Sequence, residues 1–269
     1  MPQTARTVDS ARAYVERAKL PEPRPLLLTE AGSADEKAVT DFVFDKAKDQ
    51  ATVVGSDVVA FVKGLTPEQR QDVVNATMLA QLVAKNEVKN PQTLDDVLKW
   101  YDEYFNVLDN IGFVVQNRGF AQFVETGTQV EVHEAIIEVA KVALGAAPTA
   151  LLLVTKTLDS LKSMNEGSPW ITLFQRETRS AKTAHFQVTL AEPDKDGGLL
   201  ITLLAFGMEA KATLTQVLFF KFKKNEATLR NAHGNVSINP EVLAHIRSDI
   251  ATKLKDHTKS FVAGLNFKA

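Results

Sequence analysis

Residues 199–206 read LLITLLAF, and this stretch decides the fold. It is apolar on both alternate sets, so a strand built from it has no wet face and must lie centrally in a sheet. Just upstream, Ala184, Phe186, Val188 and Leu190 alternate with His185, Gln187 and Thr189, the pattern of a half-exposed strand. The intervening Pro193–Gly198, PDKDGG, is a turn. Downstream, over 213–223, Leu218, Phe220 and Phe222 face one way and Val217 and Phe219 the other, and Thr228–Ile238 forms a further strand. Ile171 and Leu173 open the first strand of the series. The short links leave no room for crossover helices, which predicts an antiparallel sheet of four or five strands.

Outward from this sheet the apolar period becomes helical. Residues 7–19 predict a short helix, ended by the proline-rich arm PEPRP at 21–25. A helix capped by Ser33 or Asp35 is expected to reach Val62, carrying Val39, Phe42, Val43, Val54, Val58, Phe61 and Val62. Thr66-Pro67-Glu68-Gln69 is a capping box with proline at the first helical position, and that helix runs to about Val88. The next spans about 93–116, with Leu94, Leu98, Tyr101, Phe105 and Leu108 on one stripe; Asp95, Asp102 and Asp109 mark a solvated face. Asn239-Pro240 opens a last helix whose stripe is Val242, Ile246, Ile250 and Leu254. That helix is expected to cover one sheet face and the N-terminal helices the other.

The class is therefore α+β: a helical bundle packed on an antiparallel sheet, closed by a C-terminal amphipathic helix. The expected division is an N-terminal helix and arm at 1–30, a helical part at 31–168, and the sheet with its last helix at 169–269, the latter two integrated. Charge follows the same division. From Trp170 onward 14 Lys/Arg stand against 9 Asp/Glu, while the preceding residues carry 17 against 24. An acidic helical part thus precedes a basic β-rich part, and Lys221, Lys223 and Lys224 form a candidate basic surface. With no cysteine, disulfides and thiolate metal sites are excluded. The N-terminus has no apolar signal region, so synthesis in the cytoplasm is expected, with any release needing specialised machinery or lysis.

The most apolar helical stretch is 131–164. One helix carries Ile136, Val139 and Leu144; Gly145-Ala146-Ala147-Pro148 turns the chain; the second carries Leu151, Leu152, Leu153 and Val154. Leu151–Val154 is apolar right round, so something covers that turn. A central core hairpin is the plain reading. A membrane-inserting or ligand-binding hairpin is the functional one, with Gly145–Pro148 as the leading edge. The longest uncharged apolar run, Val142–Thr155, is shorter than the ~18 residues of a membrane span.

Chemistry is sparse. Phosphate-binding loops, nucleophile elbows and dinucleotide fingerprints are missing. His133-Glu134 starts like a zinc-protease helix, but Ile137 stands where the second histidine is needed. Asp194-Lys195-Asp196-Gly197 opens like a calcium loop without the later glutamate. Lys221-Phe222-Lys223-Lys224 fits strand alternation better than nucleic-acid binding. No catalytic residue, cofactor or metal ligand is assigned.

Three stretches carry a resemblance: LKWYDEYFNVLDNIGFVVQN at 98–117, LLITLLAFGMEAKATLTQVLFFKFKK at 199–224, and NPEVLAHIRSDIATKLKDHTKSFVAGLNF at 239–267. Together they resemble a loosely defined group of bacterial and fungal toxin-like or virulence-factor-like proteins, helical at the N-terminal side and β-rich at the C-terminal side. The likeness spans roughly residues 65–269, and its motifs are core patterns that transfer no functional residue. Two functions are expected: a membrane-active, toxin-like protein acting through the hairpin on anionic lipid, or a binding module for an apolar ligand or a protein partner. Self-association is compatible with both. Nucleic acid is not an expected partner, and an enzymatic role ranks below the two binding readings.

Overall fold

The computed structural model describes residues 7–23, 42–124, 129–145, 147–223 and 226–265. In chain order these form α1 (Val8–Arg17), β1 (Gln50–Val54), β2 (Asp57–Phe61), α2 (Pro67–Glu87), α3 (Leu94–Asn110), β3 (Phe113–Val115), β4 (Ala121–Gln122) and β5 (Val130–Glu131). Then come α4 (Val132–Leu144), α5 (Pro148–Lys162), α6 (Pro169–Thr178), β6 (Thr183–Pro193), β7 (Leu199–Ala210), β8 (Lys221–Phe222) and β9 (Ala227–Ile238). The chain closes with α7 (Pro240–Leu254), α8 (Thr258–Phe261) and β10 (Val262–Leu265).

The caps read in the sequence are present. Thr66 Oγ1 accepts from the Gln69 N–H at 3.1 Å and Gln69 Oε1 from the Thr66 N–H at 2.9 Å, starting α2. Asn239 Oδ1 accepts from the Val242 N–H at 3.1 Å, starting α7. Helix α3 ends earlier than expected: Gly112 takes a positive φ of 87°, which turns the chain into β3.

Among the described residues, eight strands make the main sheet in the order β10-β1-β2-β6-β7-β9-β3, with β4 also on β9. This is larger than the four or five strands expected. All pairs are antiparallel except β2 with β6. Strand β7 is central, as LLITLLAF requires. Ile201, Leu203 and Ala205 face one core, and Leu204, Phe206 and Met208 the other. Helices α1, α2, α3 and α7 cover the first face; α4, α5 and α6 cover the second. The C-terminal helix therefore shares a face with the N-terminal helices rather than covering the opposite one. The arrangement is helices on both sides of one sheet, not a bundle set against it.

Three further expectations fail for physical reasons. Residues 50–61 are a strand hairpin, not the end of a helix; Gly55 takes a φ of 56° in the turn, and both strands are buried throughout. Ser33, Asp35 and Val39 lie outside the described residues. The segment at Ile171 and Leu173 is α6: Ser168 caps it, Pro169 sits at its start, and Trp170, Ile171 and Phe174 are buried. Over 213–223 only Lys221–Phe222 is strand. Its carbonyls serve α4 instead: Phe220 O and Leu218 O accept from the Val132 and His133 N–H groups at 3.0 and 2.9 Å, in place of a side-chain cap.

Candidate functional site

The expected hairpin exists as α4 and α5, joined through Gly145 at a φ of 53°. Its inner side is core. Ile136, Val139, Leu153 and Val154 are buried, in the same core as Phe186, Phe206 and Met208 of the sheet. Its outer side is not covered. Val142 is 72% exposed and Leu152 54% exposed, each within about one turn of the connection. Gly145 and Pro148 are exposed, and Leu144 and Leu151 are half-buried. The turn Leu151–Val154 is thus only half covered, contrary to the sequence reading. Ala146 lies outside the described residues.

The tip is charge-free from Val142 to Thr155, and the exposed Lys141 and Lys156 bound it on either side. Lys141 pairs with Glu138 at 2.6 Å on the surface, a contact that water screens. At 13 and 15 residues, α4 and α5 are about 20 and 22 Å long. Among the described residues no helix is long and apolar enough to cross a membrane.

The opposite end of the hairpin is tied down by charge. Glu131 is buried between Lys162 Nζ at 2.8 Å and Lys221 Nζ at 3.5 Å. Burial pushes its pKa upward, but the two lysines outweigh it and hold the carboxyl below its usual range. His133 Nε2 lies 3.1 Å from Asp159 Oδ1, joining α4 to α5. Lys221, assigned to a free basic surface, is therefore part of this base, away from the tip. Lys223 is exposed, and Lys224 lies outside the described residues.

Sequence reasoning missed a second constellation, under α2 and α3. On the polar side of β6, expected to face water, Gln187 and Thr189 are buried and His185 is half-buried. Thr189 Oγ1 donates to Asp57 Oδ2 at 2.6 Å, and Asp57 Oδ1 has no hydrogen-bond partner among the described residues. Burial raises the Asp57 pKa to about 7, against the pull of the Thr189 hydrogen bond. Gln187 Nε2 donates to Tyr101 Oη at 2.9 Å, and that hydroxyl lies 2.8 Å from Phe186 O and 2.9 Å from Phe206 O. Ser56 Oγ stands between Gln81 Oε1 and Gln187 Oε1 at 3.0 and 2.9 Å. Burial raises both Tyr101 and Tyr104 above the usual phenol range. The periodic polar residues on β6 were the visible signal; their partners on α2 and α3 are distant in sequence.

The acidic stripe also divides. Asp95 and Asp102 are exposed, but Asp109 is buried and forms an ion pair with Arg118. Asp194 Oδ1 accepts from the Asp196 and Gly198 N–H groups at 2.8 and 2.6 Å, as a polar turn does. Among the described residues no group of three or more His, Asp or Glu could hold a metal.

The molecule is thus of a mixed class, an eight-stranded sheet between two helical layers with one half-uncovered apolar hairpin. No protein-family model matches the chain, and no curated protein matches it. Among solved structures it is similar to a delta-endotoxin, at 14% identity over 70% of this chain and 85% of that one, with a TM-score of 0.38. It is similar to the activated Cyt2Ba monomer from Bacillus thuringiensis subsp. israelensis, at 14% identity over 67% and 97%, with a TM-score of 0.32. The Evf virulence factor matches at 11% identity over 85% and 87%, with a TM-score of 0.34. The toxin and virulence-factor likeness read in the sequence returns here; at these scores it assigns neither activity nor residues.

Proposed function

We propose that this is a membrane-active, toxin-like protein whose α4–α5 tip docks on an anionic lipid surface. The observation that carries this reading is the tip itself: an uncovered apolar end, charge-free from Val142 to Thr155, flanked by Lys141 and Lys156. Apolar side chains there favour the acyl boundary, and flanking lysines keep their ammonium groups among headgroups. Helices of about 20 Å fall short of the ~30 Å apolar thickness, so the hairpin lies in the interface rather than spanning it. This departs from the insertion expected of the sequence.

The alternative of an enclosed apolar ligand has less support. The cavity lined by Val73, Tyr104, Leu108 and Ile201 lies on the sheet face opposite the hairpin and holds about 20 Å³, room for about one water and not for an acyl chain. A protein partner on the same tip remains the runner-up.

The test is flotation with, and dye release from, phosphatidylserine vesicles, from neutral to acidic pH. Wild type should bind; Val142→Asp with Leu152→Asp should fold normally, both side chains being exposed, and lose binding. Equal vesicle binding by the folded double variant, or no binding by wild type at any pH, overturns the proposal.

A further inference from the structure

A cleft of about 80 Å³ opens where the C-terminal ends of α2 and α6 meet the start of β6, remote from the hairpin tip. His185 lies in its wall against Trp100, with ring centroids 4.1 Å apart and planes tilted by 36°. Burial drives the imidazole pKa down to about 3, and the Lys85 charge adds to this, so the ring is neutral at any ordinary pH. A neutral imidazole offers one N–H and one lone pair. Neither has a protein partner among the described residues.

The same cleft holds three cations, Lys85, Arg176 and Arg179, against one carboxylate, Glu177. Glu177 is buried and engaged on both oxygens, paired with Lys85 on one and accepting from Arg176 Nε at 2.8 Å on the other. Arg176 Nη2 donates to Ser260 O at 2.6 Å, and Arg179 Nη1 to Thr215 O at 2.6 Å and Leu214 O at 2.9 Å. These bonds fix both guanidinium planes, yet each group has five N–H donors, and several remain. Among the described residues lining the cleft, positive charge thus exceeds negative, around a small space that already contains the His185 imidazole.

We propose that this cleft binds a small oxyanion of the phosphate class, free or as a terminal phosphomonoester. A dianion matches the charge excess, guanidinium forks match its oxygens, and His185 supplies a neutral N–H. The volume admits one such group. The inference does not depend on the hairpin: a protein that ignores lipid could still bind phosphate here.

The experiment uses the full chain titrated with inorganic phosphate, followed by calorimetry and by the ring nitrogen signals of His185. Saturable binding that moves those signals is expected. His185→Phe keeps the aromatic contact with Trp100 and removes both nitrogens; Arg179→Gln removes one cation. Each, with an unchanged circular dichroism spectrum, should weaken phosphate binding by about tenfold or more. Glycerol phosphate and short-chain phosphatidate form the second arm. Binding equal to inorganic phosphate marks a free-anion site, and much tighter phosphatidate binding marks a lipid headgroup. No response to any of the three, or binding unaffected by both substitutions, overturns the inference.

Discussion

Replacing Asp57 by Asn should remove most of the pH dependence of stability between about pH 5 and pH 8. Asp57 is fully buried, with Thr189 its one hydroxyl partner and the phenols of Tyr101 and Tyr104 nearby. Its pKa rises from 3.8 to about 7 on folding. The folded state therefore holds the proton more tightly than the unfolded chain. Its contribution is intact below pH 3.8, is lost progressively as pH rises toward 7, and is flat above that. At about 1.4 kcal/mol per unit, the whole rise amounts to about 4 kcal/mol, of which about 2–3 kcal/mol falls between pH 5 and 8. For a chain of this size that corresponds to a drop in Tm on the order of 5–10 °C. Asparagine keeps the volume and an acceptor for Thr189 but cannot ionise. Paired thermal melts of wild type and Asp57→Asn across this range measure the difference. Parallel curves for the two proteins would refute the reasoning. The sign matters for any trigger: acid stabilises the packing around Asp57, so acid-induced loosening would have to come from elsewhere.

Other predictions follow from single contacts. Tyr101→Phe should cost about 1–3 kcal/mol in chemical denaturation, because it strands the Gln187 amide and removes the one hydroxyl donor shared by two nearby strand carbonyls in a buried layer. Arg70→Lys should cost about 3 kcal/mol, since one ammonium cannot replace a guanidinium that reaches Gln50, Lys48, Val62 and Leu65 at once. Gly207→Val should destabilise by about 1–3 kcal/mol, because a Cβ there meets Val97 at 3.0 Å and pushes α3 off the sheet. The paired Val142→Asp and Leu152→Asp changes should leave the Tm unchanged while abolishing vesicle flotation.

How much of this was legible divides by the range of the deciding contact. The capping box at Thr66, the Asn239-Pro240 start and the two-faced β7 are local, and the structure keeps them. The hairpin β1–β2 was misread because Val54, Val58, Phe61 and Val62 also fit a helical stripe. The consecutive valines around Gly55-Ser56 were the better signal, being β-branched pairs across a turn. At α6 the Ser168-Pro169 start outweighs a short apolar run that looked like strand. The segment 213–223 alternates, yet only Lys221–Phe222 joins a ladder, with β5, and the carbonyls of Leu218 and Phe220 cap a helix. Gln187 and Thr189, on the face of β6 read as wet, are dry because Gln81, Tyr101 and Tyr104 arrive from helices about a hundred residues away, and pairing of that kind leaves no local mark. For the hairpin, the apolar stretch was plain, but which of its faces stays uncovered was not.

The placement of β10 bears on how the chain is made. Val262–Leu265 pairs with β1 over Val54 to Ala51, and Trp170 Nε1 donates to Gly264 O at 2.7 Å. Until β10 is made, β1 presents an open row of N–H and C=O groups along a strand that is buried throughout in the complete sheet. Sheet completion must therefore wait for β10, and the nascent chain carries an adhesive edge from the synthesis of β1 until β10 is made. Loss of β10 alone would leave that edge permanently available to a second copy.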